Sequence, residues 1–309
     1  MIDVSIVVPF HNSERYLMEC IEGLLSQDYP RERYEIVMVD NNSTDASVRI
    51  VKRYPRVRLI SEGRRGAYAA RNRGVREAKG KIIAFTDSDC VPFKDWLQGI
   101  KEAMAHPEVG IVIGSLRFAR DSFLLSLLAD YENEKDHYVF TSKIKELYYG
   151  YAGNMAIRKE LFAEIGPFVE RIRGSDTIFI HQCMAKYSCE VVHYSPQIRV
   201  RHLEIDGVGK HFQKVFIYGK SSQKYRKIVA ARPLTQRERF LVFWRTVRNR
   251  DYSWLKAMVL LGLLVVGFGY WVLGSRNLIQ NFKQRGMILR LRKLRRNWHK
   301  KRKMTTEGG

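Results

Sequence analysis

Four short β-branched runs, "VSIVVPF", "YEIVMVD", "VRLISE" and "KIIAFTD", recur through the first ninety residues, each closed by polar residues. Between the first two lies "SERYLMECIEGLLSQD", whose apolar residues fall at helical spacing. Alternation of this kind predicts a mostly parallel sheet covered by helices, an α/β fold in which ligands bind at the carboxyl ends of the strands.

Beyond Pro92 the pattern is mixed. "DWLQGIKEAMA" reads as a helix, "VGIVIGSLRF" as a strand and "SFLLSLLADYENEKDHYV" as a longer amphipathic helix. "RKELFAEIG" and "DTIFIHQCMAKY" are further helices, and "CEVVHYSPQIRVRH" reads as a late pair of strands. No linker rich in Gly, Ser or Pro interrupts them, so one globular domain is expected over residues 1–230. The 309 residues, 45% of them apolar, can fill a sizeable core. The cysteines Cys20, Cys90, Cys183 and Cys189 form no CxxC pair and have no histidines at zinc spacing, so reduced thiols in a cytosolic compartment are expected. Asp3 stands where a signal peptide would carry a basic residue, so the first segment is read as mature structure.

The formal charge of +22 points to nucleic acid, an anionic membrane surface or phosphorylated ligands. Its densest block is "KQRGMILRLRKLRRNWHKKRK" near the end of the chain, which lacks a nucleic-acid-reading motif. Before it, residues 231–256 form a basic, aromatic juxtamembrane connection, and Ala257 to Ser275 carry no charge until Arg276. That run is long enough to cross a hydrocarbon core, with Trp254 and Trp271 suited to interfacial positions. A buried core helix is the other reading. Glycines 262, 267, 269 and 274 make a re-entrant insertion an alternative to a straight span. In the tail, residues 276–309, Ile288, Leu291, Leu294 and Trp298 fall on one face of a helix whose other face is basic, which fits an anchor on anionic lipid. The positive-inside rule then keeps catalytic domain and tail together on the cytoplasmic face of a membrane.

"IIAFTDSDC" ends an apolar run in Asp87 and Asp89, whose i, i+2 spacing at a strand end lets both carboxylates share one hard cation. Alone, the pair reads equally as acidic turn residues before the helix near Asp95. Taken in order, however, "VSIVVPFHNSERYL", "VMVDNNSTDAS", "GAYAARNRGVREAKGKIIAFTDSDC", "GYAGNMAIRKELFAEIGPF" and "RGSDTIFIHQC" resemble the family 2 glycosyltransferases, whose nucleotide-sugar-binding fold is the GT-A type.

The resemblance implies a role for each motif. Pro9, His11, Glu14, Asp40 and Asn42 would face the nucleoside, Gly66 and Arg71 the diphosphate, and Asp87 and Ser88 the donor. Asp87, Asp89 and His202 would hold a divalent metal, Mn2+ or Mg2+, and Gly153 and Asn154 would lie on the acceptor side. Asp176 matches the general base of inverting members, which takes the proton of the acceptor hydroxyl. Several of these readings have local alternatives: an Asx turn for Asp40, a helix cap for Asp176, an ordinary turn for Gly153 and Asn154 and a satisfied polar group for His202, while Arg73 and Arg76 near Arg71 read as a solvated basic face. The chain departs from the family at Asn41 and Asn42, which replace an aspartate and a glycine, and at Ser175 and Gln182, which replace glutamate and arginine.

The expectation is therefore a metal-dependent, inverting enzyme that moves a sugar from a UDP- or GDP-sugar to a hydroxyl of a lipid-linked or polysaccharide acceptor at a membrane. The rivals are a nucleotidyltransferase using the same carboxylates and a basic nucleic-acid-binding protein; no nucleic-acid partner is expected.

Overall fold

The structure, a computed structural model, describes residues 1–118, 122–170 and 173–275. The amphipathic tail expected around Ile288, Leu291, Leu294 and Trp298 lies outside the described residues.

The first half follows the predicted alternation. β1 (Val4–Phe10) lies between β2 (Tyr34–Asp40) and β4 (Ile82–Thr86), both parallel to it, and β3 (Val57–Ser61) adds in parallel beyond β2. The crossovers carry α1 (Leu17–Leu25), α2 (Ser47–Val51) and α3 (Ala67–Glu77). Every residue of β1 is buried, as a central strand covered on both faces must be.

The second half is mixed. β5 (Cys90–Pro92) and α4 (Trp96–Ala103) lead into β6 (Ile111–Phe118), α5 (Phe123–Thr141), β7 (Asn154–Arg158), α6 (Lys159–Ile165), α7 (Ser175–Tyr187) and β8 (Val192–His202). β7 runs antiparallel to β4 and β6, and β5 antiparallel to β8, while β8 is parallel to β6. The eight strands form one sheet in the order β3-β2-β1-β4-β7-β6-β8-β5. β8 corrects the expected pair of strands: it stays beside β6 throughout, jumping register from Gly114↔Ser195 to Ser115↔Arg199. Pro196, which has no N–H to donate, sits in the extra loop, so the strand bulges rather than turning back.

Two apolar cores sandwich the sheet. Ile6, Val8 and Met38 face α1 and α4, while Val7, Val39 and Phe85 face α3, α5 and α7. On the second face Phe168 is a hub, with ring centroids 5.5 Å from Tyr68, 5.6 Å from Phe85, 5.3 Å from Phe162 and 5.3 Å from Phe179. It thereby ties α3, β4, α6 and α7 together.

Of the helices that follow, α8 (Val208–Tyr225), α9 (Gln236–Asn249) and α10 (Trp254–Ser275), the last two join this core through Val242, Phe243 and Leu260. α9 begins with a capping box of Thr235 and Glu238. α10 is one uninterrupted helix of 22 residues, about 33 Å long, and is apolar enough to cross a membrane, with a mean hydropathy of 2.1 over an 18-residue stretch. Its glycines do not break it. A Cβ on Gly274 would lie 2.1 Å from the Phe216 carbonyl oxygen, and one on Gly219 of α8 2.3 Å from that of Trp271, so bare backbone at both positions lets α8 and α10 touch. Trp254 is 77% exposed, as an interfacial residue would be, but Trp271 is turned inward, stacked on Phe268 beneath the Arg239 guanidinium.

Candidate active site

The carboxyl ends of β1, β2 and β4 open into one cavity of about 1560 Å³. Pro9, His11, Gly66, Arg71, Asp87, Ser88, Asp89, Gly153, Asp176 and His202 all line it.

Two asparagines shape the end beside β1 and β2. Asn41 donates its amide to the carbonyls of Glu62 and Arg64, both at 2.8 Å, and accepts from the Gly66 N–H at 2.8 Å, fixing the loop into α3. Its own carbonyl meets His11 Nδ1 at 2.9 Å. Asn42 has φ 65°, the left-handed conformation that asparagine adopts more readily than most residues with a side chain. Gly66, at φ 125°, takes a conformation that side chains rarely adopt. Ser13 and Ser88 join the β1 and β4 turns by a hydroxyl pair at 2.8 Å.

Arg71 is buried on α3, its Nη2 2.5 Å from Asp87 Oδ1 and its guanidinium 5.0 Å from the Tyr68 ring centroid. The i, i+3 spacing of Tyr68 and Arg71 puts them on one helix face. Arg73 and Arg76 point elsewhere and pair with Glu77 and Glu62. Tyr68 also lies beside Asp176. The second helical residue of α7 after the left-handed Gly174, Asp176 accepts from the Thr177 N–H at 2.9 Å and, with its other oxygen, from the Ala152 N–H at 3.0 Å in a distant loop. Burial pushes its carboxyl up; the Ala152 amide and Arg71 offset only part, and it stays above the usual carboxylate range.

Asp87 and Asp89 lie in the turn beyond β4 rather than in the strand, closed by the Cys90 N–H on the Asp87 carbonyl at 3.0 Å. Cys90 pairs with His202 across β5 and β8, which brings the imidazole to the second carboxylate: His202 Nδ1 is 3.6 Å from Asp89 Oδ2. That nitrogen is buried and has no hydrogen-bond partner among the described residues. Burial, then Lys214, hold the imidazole down to about 4, so it is a neutral donor. Burial and the nearby Asp87 raise Asp89. A free imidazole nitrogen aimed at a carboxylate fits a divalent cation. Cys90 Sγ is within reach of the same point, but burial pushes its thiol far up and keeps it protonated. Lys214 of α8 stands beside this cluster, 2.5 Å from Glu204.

Four expected site residues do not line the cavity. Glu14 accepts from the Ala46 N–H at 2.9 Å and Asp40 from the Ser43 N–H at 3.0 Å, the latter forming the Asx-type turn of the alternative reading. Asn42 points its amide to the Glu62 and Gly63 carbonyls. Asn154 is wholly buried: it donates to Ser115 and Ile198 at 2.8 and 2.9 Å and accepts from Trp96 Nε1 at 2.8 Å, so its amide clamps the β6–β8 bulge instead of facing an acceptor. Gly153 has a packing reason of its own, because a Cβ there would lie 2.6 Å from the Tyr151 hydroxyl. Tyr151, Arg173 and the walls from α5, α8, α9 and α10 belong to the cavity without having been expected there. Of these, Tyr151 inside "GYAGN" and Arg173 at the head of "RGSD" lay within motifs of the sequence.

Residues 5–166 match the family model described as Glycosyl transferase family 2. The chain is 27% identical over 197 residues to "Glycosyltransferase AglE" of Haloferax volcanii, a match covering 62% of this chain and 64% of that protein. It spans less than two thirds of the length of the curated relatives it matches first. Among solved structures, the mannosyltransferase PcManGT from Pyrobaculum calidifontis, in complex with GDP-Man and Mn2+, superposes with a TM-score of 0.56 at 21% identity, covering 96% of this chain and 82% of that one. Staphylococcus aureus TarS 1-349 in complex with UDP gives 0.51 at 18%, covering 82% and 73%.

Proposed function

The chain belongs to glycosyl transferase family 2, and from that premise we propose that it is a metal-assisted, inverting enzyme that moves a sugar from a nucleoside diphosphate to a hydroxyl of an acceptor presented at a membrane. The observation that carries this reading is that one cavity is lined both by the Arg71–Asp87–Asp89–His202 cluster and by the buried carboxylate of Asp176.

The donor would lie along the strand ends, its nucleoside between Pro9, His11 and the loop braced by Asn41, its diphosphate beside Arg71. A guanidinium pairs with phosphate oxygens in a fork, and burial over Tyr68 fixes its direction. Asp87, Asp89 and His202 would hold a divalent cation, which when bound offsets negative charge on the diphosphate leaving group. The imidazole donor favours Mn2+, and the Mn2+ bound by the Pyrobaculum mannosyltransferase supports the same assignment. That protein binds GDP-Man and TarS binds UDP, so both bases remain candidate donors for this chain.

Asp176 would take the proton of the acceptor hydroxyl as that oxygen attacks the anomeric carbon from the face opposite the diphosphate, which inverts the configuration. Its raised affinity for protons makes it a stronger base than an exposed carboxylate. The membrane part of the proposal is supported by α10, whose outer residues Leu255, Met258 and Leu273 are exposed while its inner face joins the cavity wall. With the basic tail on anionic lipid, the enzyme would work at the cytoplasmic face.

Purified full-length protein incubated with UDP- and GDP-sugars and Mn2+ should release nucleoside diphosphate slowly to water from one of them. Release of pyrophosphate from a nucleoside triphosphate instead would overturn the reading.

A further inference from the structure

The cavity has a second polar wall that neither the donor nor the metal uses. On α5, Lys135 is bonded to Glu132 and lies 3.8 Å from Asp136 Oδ1, and the Tyr149 hydroxyl donates to Asp136. The Lys135 ammonium sits 5.5 Å from the centroid of the Tyr149 ring. All four line the same cavity as Asp176.

This is not a sealed ion network. The side chains of Glu132, Lys135 and Asp136 keep 34, 24 and 20% of their surface, and they line a cavity shared with Arg239 and Phe243 of α9 and Leu264 and Phe268 of α10. Charged groups lose hydration in such a place, and apolar residues of similar size would pack α5 as well or better. Packing alone therefore gives no reason for the three charges. A short backbone segment links them to the base: Tyr149 precedes Gly150, where a Cβ would lie 2.5 Å from the Asp176 Cβ, and Ala152, whose N–H bonds to Asp176 Oδ2 at 3.0 Å.

The chemistry of the wall selects its ligand. Two carboxylates surround one ammonium, and the Arg239 guanidinium of α9 acts on Glu132 from the same cavity. The α5 groups offer several acceptors and a donor within a small area, and the Tyr149 ring offers a face for C–H groups. Such a set matches adjacent hydroxyls on a pyranose ring.

We propose that Glu132, Lys135 and Asp136 form an acceptor subsite that recognises the ring hydroxyls of a sugar, so that the acceptor is itself a glycoside; this rests on the glycosyl-transfer reading above. The test is saturation-transfer NMR on the full chain in a sugar-free detergent, titrated with methyl β-glucoside, methyl β-galactoside and methyl N-acetyl-β-glucosaminide. At least one glycoside should receive saturation on its ring protons, and Glu132→Gln and Asp136→Asn should each weaken it about tenfold, while the affinity for UDP or GDP with Mn2+ stays within about twofold. Tyr149→Phe, which removes only a hydroxyl, should weaken it less and serves where either of the first two fails to fold. Unchanged glycoside affinity in the variants, equal saturation of glycerol, or no saturation of any glycoside in the unaltered protein would each overturn the subsite. Failure of the glycosyl-transfer reading would show separately, as no nucleoside diphosphate release from any nucleotide sugar.

Discussion

His202 Nδ1 lies 3.6 Å from Asp89 Oδ2, buried and without a hydrogen-bond partner among the described residues. A buried imidazole nitrogen left unpaired costs stability unless something binds it. His202→Gln should therefore lower Mn2+ affinity by about two orders of magnitude, since even supporting groups of a metal site are worth 10–100-fold. Titration followed by the free Mn2+ paramagnetic resonance signal measures this directly. EDTA should stop transfer by the unaltered protein, and unchanged Mn2+ affinity in the variant would remove His202 from the metal set.

Asp176 gives a prediction with a sign. A base works only when ionised, and burial holds this carboxyl above the usual range, so the rate should begin to fall with acid at a pH above the ~4 of an exposed aspartate. Asp176→Asn should reduce transfer by roughly 10²–10⁴ and leave nucleotide affinity in place. A pH profile of kcat/KM beside a nucleotide titration separates the two effects. If the variant loses nucleotide affinity together with transfer, the residue is holding the site and not acting as its base.

Phe168 touches the elements that carry Arg71, Asp87 and Asp176, and the Asn72 amide further fixes its backbone, accepting from Phe168 N at 3.0 Å and donating to its carbonyl at 2.8 Å. Phe168→Ala should cost about 3–5 kcal/mol, the usual loss for a large buried ring, and Phe168→Leu distinctly less. Denaturant unfolding would show it. Because the hub has no exposed surface to speak of, a loss under about 1 kcal/mol would mean the four elements are held by other contacts.

How far the sequence reaches is visible in these same residues. The parallel strands were legible because their signals are local: β-branched runs closed by polar residues, and carboxylates two apart at a strand end. Asn154 was misread for the opposite reason. Its partners Ser115, Ile198 and Trp96 come from three distant segments, and no spacing in the sequence announces that they converge. The same holds for β8, where a Pro-containing stretch that reads as a turn between two strands is a bulge held by a neighbour elsewhere in the chain. Glu132, Lys135 and Asp136 look from the sequence like the polar face of an ordinary amphipathic helix; only the arrival of α8, α9 and α10 over that face turns it into a cavity wall.

The glycines of α10 separate two explanations that the sequence left open. If they loosened the helix for a re-entrant turn, replacing any of them with alanine would straighten it to a similar degree. The packing distinguishes them instead: a Cβ at Gly274 meets the Phe216 carbonyl oxygen at 2.1 Å, a backbone atom that cannot swing aside, whereas nothing lies within 4 Å at Gly262. Gly274→Ala should therefore push α8 from α10 and cost about 1–3 kcal/mol as an overpacked contact, while Gly262→Ala should gain about 0.5–1 kcal/mol from helix propensity. α8 also carries Lys214 beside the Asp89–His202 cluster, so Gly274→Ala should slow transfer and Gly262→Ala should not. Thermal unfolding of the two variants in detergent, with transfer measured alongside, checks both parts, and equal behaviour of the two would refute the close-packed arrangement of α8 and α10.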